Sequence, residues 1–149
     1  MLEVGQIRLI YDECLFGDPL YYYKSRPCWI LQIEDGSIQV LPFSTYARSW
    51  VRFEEGEGRL HRISYLLPQV VSIPAHIAGP LIGSLSPCTV LSRVLSCCSS
   101  HVRERERWRP LLDEWEALFP YDFYIVSRRF RRTIELIRQP RYRTGYLYA

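Results

Sequence analysis

"KSRPCWILQIEDGSIQVLPFST", residues 24–45, decides how this chain is read. Cys28–Ile33 and Ile38–Phe43 are apolar runs of strand length, and the Glu34-Asp35-Gly36 between them is turn chemistry, so the segment reads as a β-hairpin. Lys24-Ser25-Arg26-Pro27 stands before the first run, and a Ser44-Thr45 pair follows the second. Adjacent antiparallel strands lie about 5 Å apart, so sequence separation does not forbid contact between the guanidinium and the hydroxyl. The plainer reading is a strand-entry turn at Arg26-Pro27 and a polar strand exit at Ser44-Thr45, residue types that such positions favour in any case.

Working outward, Gln6–Tyr11 alternates around Ile7 and Leu9, while Leu60–Leu66 and Gln69–Ile73 read as short strands on either side of Pro68. Short strands with polar turns predict a small barrel rather than a layered α/β sheet. Ser86-Pro87 then supplies a hydroxyl cap and a first-turn proline, predicting a helix over Pro87–Cys98. Its apolar face, Val90, Leu91, Val94, Leu95 and Cys98, is expected to lie across the barrel.

Beyond Cys-Cys-Ser-Ser-His the character changes. Pro110–Phe119 carries a second amphipathic face of Leu111, Leu112, Trp115, Leu118 and Phe119, stopped by Pro120. Tyr121–Val126 favours a strand. Phe130, Thr133, Ile134 and Ile137 fit a helix, while Thr-Ile-Glu-Leu-Ile alternates equally well as a strand. The fold expected is mainly β with α: a barrel over residues 1–100, and a helical, arginine-rich extension over 101–149 packed on it.

At 149 residues, 48% apolar and 23% charged, the chain suits a globular fold and not a disordered one. No window approaches the roughly eighteen consecutive apolar residues of a membrane span, and Met-Leu-Glu-Val-Gly is no signal-peptide start, so a cytoplasmic address and no membrane partner are expected. The five cysteines, Cys14, Cys28, Cys88, Cys97 and Cys98, form no CxxC pair and have no histidine at ligand spacing; reduced thiols, no metal and no cofactor are expected. Through residue 100 there are eight Arg or Lys against nine Asp or Glu; from 101 onward there are eleven against seven. The basic tail suits nucleic acid or an acidic partner. Without a Walker loop, GxSxG elbow, HExxH helix or dinucleotide fingerprint, nucleotide hydrolysis, serine esterase and zinc protease chemistry drop out.

The order "VGQIRLIY", Gly17-Asp18-Pro19, "KSRPCWIL" and "IQVLPFST" resembles the amino-terminal half of the toxin family called MazF, PemK or Kid. Members begin with a strand carrying Gly-x-Ile or Gly-x-Val. They pass through a loop into Lys-x-Arg-Pro and a hydrophobic strand, and reach a strand ending in Pro-Ile-Thr-Ser. "SYLLPQVVSIPAHIAGPLIGSLSPCTVLSRVL" resembles their second half, so the likeness covers about residues 4–98. It implies an SH3-like barrel, a homodimer, and metal-independent cleavage of single-stranded RNA that leaves a 2′,3′-cyclic phosphate, in a toxin held by an antitoxin.

By that resemblance Arg26 matches the catalytic arginine of Lys-x-Arg-Pro, Ser44 the Thr of Pro-Ile-Thr-Ser, and Thr45 its Ser. A guanidinium fork suits a charged phosphorane, and a hydroxyl can hold the phosphate or relay a proton. Lys24, Arg48, Arg52 and the loop residues Tyr22 and Tyr23 are candidate RNA guides. The loop departs from the family, reading Leu-Tyr-Tyr-Tyr where a polar Gly-x-Glu stretch is usual; its tyrosines stack bases or bury against a neighbouring chain. His61, on a predicted strand with Arg59 and Arg62, faces a phosphate groove or is merely exposed or packed. His76 reads as a turn residue.

"RERERWR", residues 103–109, reads as a solvated helix face whose i,i+3 and i,i+4 pairs largely cancel. Arg128, Arg129, Arg131 and Arg132 are candidates for nucleic-acid or partner contact, ringing Phe130 if helical and splitting between two faces if extended. The alternative to a nuclease is a barrel without catalysis, an assembly subunit whose C-terminal third docks a protein or nucleoprotein partner.

Overall fold

The hairpin forms, and it is the centre of the sheet. In the computed structural model, which describes residues 1–16 and 24–139, β2 (Ser25–Glu34) and β3 (Ser37–Ser44) pair antiparallel about Asp35-Gly36. Gly36 has φ 72°, a left-handed turn position that glycine takes without a Cβ penalty. Pairing runs Cys28↔Pro42, Trp29↔Leu41 and Ile30↔Val40, then shifts at a bulge and resumes at Gln32↔Gln39.

The other strands are β1 (Gln6–Tyr11), β4 (Arg52–Phe53), β5 (Ser64–Leu66), β6 (Val71–Pro74) and β7 (Leu81–Ser84). Their order is β4-β5-β3-β2-β1-β7, with β6 also on β3, giving an antiparallel half-barrel sheet. A first short helix, α1 (Asp12–Phe16), leaves the end of β1. The mainly β class with added helices is therefore the observed one. Two expected strands move their boundaries, Leu60–Leu66 shrinking to β5 and Gln69–Ile73 becoming β6, and an unanticipated 3₁₀ turn occupies Glu57–Arg59. β4 and β7 were not anticipated; both are too short to show a period.

Both faces of the hairpin are covered. Cys28, Ile30, Ile38 and Val40 pack with Ile10, Leu15 and Ile73 on one face. Trp29 and Leu41 are fully buried on the other, where the Trp29 Nε1–H donates to the Leu85 carbonyl at 2.9 Å and Phe43 meets the Phe53 ring edge-on at 5.6 Å. Each such side chain contributes about 1.5–3 kcal/mol by leaving water. Gly83 of β7 is held to glycine by proximity, since a Cβ there would sit 2.1 Å from the Gly58 carbonyl oxygen.

The chain divides into two compact units, Met1–Pro87 and Cys88–Ala149. The second is helical: α2 (Pro87–Ser100), α3 (Val102–Leu118), α4 (Pro120–Ser127) and α5 (Arg131–Arg138). The predicted apolar stripe of α2 is the buried one, Val90, Leu91, Val94, Leu95 and Cys98. α3 begins eight residues before the predicted start at Pro110, which lies inside it. Trp108 belongs to its core, stacked on Trp115 with ring centroids 6.0 Å apart.

The arginine-glutamate run is thus not wholly solvated: Glu104 is fully buried, accepting from Trp108 Nε1 at 3.2 Å and pairing with Arg107 at 3.5 Å. Tyr121–Val126 is helix rather than strand. Pro120 sits in the first turn of α4, where its missing N–H costs nothing, and Phe123 and Val126 bury at i,i+3. The open choice at Thr133–Ile137 resolves to helix, burying Thr133, Ile134 and Ile137. No helix among the described residues is long and apolar enough to cross a membrane.

Candidate nucleic-acid groove

β1 and β2 pair Leu9 with Pro27 and Ile10 with Arg26, and the β2–β3 register carried two residues past Cys28↔Pro42 sets Arg26 opposite Ser44. Strand alternation then separates two sets of side chains. Leu9, Pro27 and Phe43 fall on one side of the sheet and give an apolar floor to a groove of about 320 Å³. Arg26, Ser44 and Thr45 reach its rim from the strand ends, with Lys24, His61 and Arg62 lining it too. His61 gets there from a bend before β5 and not from a strand as predicted.

Arg26 is tightly held. Its Nε donates to Asp12 Oδ1 at 2.6 Å and its Nη2 to Asp12 Oδ2 at 2.8 Å, a two-point fork, while Nη1 donates to the Phe43 carbonyl at 3.3 Å. The Asp12 backbone N–H bonds to the Lys24 carbonyl at 2.8 Å, so the start of α1 is pinned to the start of β2. The guanidinium also lies over the Phe16 ring, 5.0 Å from its centroid. Side-chain exposure is 13% for Arg26 and 3% for Asp12. The hydrogen bonds from Arg26 to Asp12 raise the guanidinium above its ordinary value, outweighing burial, which acts the other way. Three of its five N–H donors are engaged by these bonds, leaving at most one on each Nη for a phosphate oxygen.

Ser44 is 4% exposed, and its Oγ accepts the Tyr46 backbone N–H at 3.1 Å. This local turn fixes the hydroxyl and aims the following residues outward; Thr45, Tyr46 and Lys24 are exposed. Arg48 and Arg52 do not join the groove. They line a separate depression of about 220 Å³ with Trp50 and Tyr65, and Arg52 pairs with Glu54 at 2.9 Å. Tyr22 and Tyr23 lie outside the described residues.

Arg128 stands over the Tyr124 ring at 5.9 Å, Arg131 and Arg132 open α5, and Arg132 reaches Glu135 at 3.9 Å. The four arginines flank Phe130 across the α4–α5 junction, neither one helix nor one strand, and all four are exposed. Among the described residues no cluster of three or more metal-ligating side chains occurs.

Asp12, Phe16 and Tyr46 were missed from the sequence, while Arg62 was named only as a neighbour of His61. Asp12 had one available signal: it lies two residues beyond Ile10, the partner of Arg26, and so on the same face once β1 is extended. Nothing marked Phe16 or Tyr46, whose positions depend on turns.

No family model and no curated protein matches the chain. Among solved structures the chain is similar to an endoribonuclease in complex with its cognate antitoxin from Mycobacterial species, at 12% identity and a TM-score of 0.44, over 66% of this chain and 90% of that one.

Proposed function

We propose that the barrel unit is a metal-independent endoribonuclease acting on single-stranded RNA, the toxin half of a toxin–antitoxin pair. The observation that carries this reading is the convergence of Lys24, Arg26, Ser44, Thr45, His61 and Arg62 on one groove with an apolar floor. A floor of Leu9, Pro27 and Phe43 suits an unstacked base, and a cationic rim suits the backbone beside it.

In this mechanism the ribose 2′-oxygen attacks the adjacent phosphorus as the bond to the 5′-oxygen breaks. The products are a 2′,3′-cyclic phosphate and a 5′-hydroxyl. The outward N–H groups of Arg26 stabilise the phosphorane, with Asp12 as the positioning residue that fixes the fork. Ser44 and Thr45 position the phosphate. His61 is the side chain of the rim whose imidazole can take the 2′-hydroxyl proton and return one to the leaving 5′-oxygen.

The test is incubation of purified protein with unstructured RNA in EDTA. Fragments ending in cyclic phosphate are expected, with Arg26→Lys lowering their yield at least a hundredfold while keeping the charge. Intact RNA at micromolar wild-type protein would sink the reading.

A second reading, a barrel that binds without cutting, is favoured by one specific observation: Asp12 neutralises Arg26 and Phe16 covers it. Asp12→Asn separates the two. A nuclease relying on a fixed fork loses activity, whereas a binding groove freed of a carboxylate binds RNA more tightly. Growth arrest on expression of the wild type favours the nuclease; normal growth favours the binder.

A further inference from the structure

The turn that leaves β3 carries an aromatic ring that the cleavage mechanism does not use. Tyr46 lines the same groove as Arg26 and Ser44, yet it is 66% exposed. Its backbone is held on both sides. The N–H donates to Ser44 Oγ at 3.1 Å, and the carbonyl accepts the Arg48 N–H at 2.7 Å. Both backbone polar groups are thus engaged within Ser44–Arg48, and the ring stands on a fixed base rather than on a loose loop. Among the described residues the ring meets no other ring and no cation. Single exposed aromatic side chains are common on protein surfaces; this one is set apart by what surrounds it.

The ladder between β3 and β5 pairs Phe43 with Leu66 and Ser44 with Tyr65, and ends there. Because the two strands are antiparallel, the segment leaving β3, Thr45-Tyr46, and the segment entering β5, His61-Arg62-Ile63, flank the same end of the pair. His61 and Arg62 are exposed and line the groove as well. Ring and cation therefore edge one opening, above the floor of Leu9, Pro27 and Phe43. From this geometry we infer that Tyr46 is a stacking platform for one unpaired base of a nucleic acid, beside a backbone phosphate drawn by Arg62, and that it makes the groove select single strands over duplex. A base inside a duplex has both faces covered by its neighbours and cannot take the ring. The inference rests on the groove being the nucleic-acid site proposed above, and not on its cutting.

The experiment measures fluorescence anisotropy of a labelled oligodeoxythymidine, which lacks the 2′-hydroxyl and so stays intact, with the full chain. Tyr46→Ala is expected to weaken binding about 5- to 100-fold, the loss of one stacked base, and Tyr46→Phe to stay within about twofold of wild type because it keeps the ring face. An abasic oligomer of the same length carries the phosphates without the bases, so wild type and Tyr46→Ala should bind it alike. The slope of log K against log salt should be the same for both proteins, since no phosphate contact is lost. Equal affinity of wild type and Tyr46→Ala for oligodeoxythymidine overturns the inference. A loss of the same size on the abasic oligomer also overturns it, because the residue then shapes the turn instead of holding a base. So does a wild-type protein that leaves the oligodeoxythymidine unbound at low salt. The nuclease reading is scored separately: RNA left intact in EDTA beside Tyr46-dependent binding removes the nuclease alone, and RNA cut by Tyr46→Ala with wild-type kcat/KM removes the platform alone.

Discussion

Two arginines, one in each unit, are used in opposite ways. In the barrel, Arg26 is forked onto a buried carboxylate and capped by an aromatic ring. In the helical unit, Arg129 stands exposed beside a depression that no carboxylate lines among the described residues. One guanidinium is tied into the structure and offers at most two outward donors; the other offers its charge to whatever arrives. The contrast teaches that a count of basic residues says little about ligand binding until each partner is known. A paired arginine gives direction, whereas an exposed one gives long-range attraction.

The strongest way to break the contrast is to remove the tied member. Arg26→Ala leaves Asp12 buried without a counter-charge and should cost about 3–5 kcal/mol in urea unfolding, as well as abolishing cleavage. A variant as stable as wild type would show that the pair is not structural. Next in size, Glu104→Ala tests whether the helical unit has a held pair of its own. Its carboxylate is fully buried against Trp108 and Arg107, and the change should cost about 1–3 kcal/mol.

Smaller still is an effect of alkali. Burial pushes the thiols of Cys97 and Cys98 up to about 12 each, from an ordinary value near 9. The unfolded chain then releases these protons at lower pH than the folded one, so the thiols' contribution is intact below pH 9 and is lost progressively towards pH 12. Urea midpoints should fall over that window, and Cys98→Ala should flatten the fall. The smallest effect sharpens the other side of the comparison. Arg129→Ala should shift stability by no more than about 0.5 kcal/mol in the same urea unfolding.

The hairpin was legible because its signals agree: two apolar runs, a glycine turn and polar residues at the open end all point to one pairing. The groove was legible in part for the same reason, since register alone brings Arg26 towards Ser44. Register puts Asp12 on the Arg26 face but not at its fork, because that contact depends on where α1 turns after β1. The helical unit misled at its prolines. Pro110 reads as a helix start yet sits mid-helix, its neighbour Arg109 bonding both Glu106 and the Ile137 carbonyl. Tyr121–Val126 is rich in β-favouring residues, but burial of Phe123 and Val126 overrides local preference.

The irregularity beside Leu31 has a consequence for how the hairpin can change length. Its pairing sums differ by one on either side of that residue, so a chain shortened there would resume an uninterrupted ladder from the Asp35-Gly36 turn to the rim. Loss of a single residue at this point is absorbed by the ladder and leaves Arg26 facing Ser44, whereas the same loss between Arg26 and Ile30 would turn one of them away from the other.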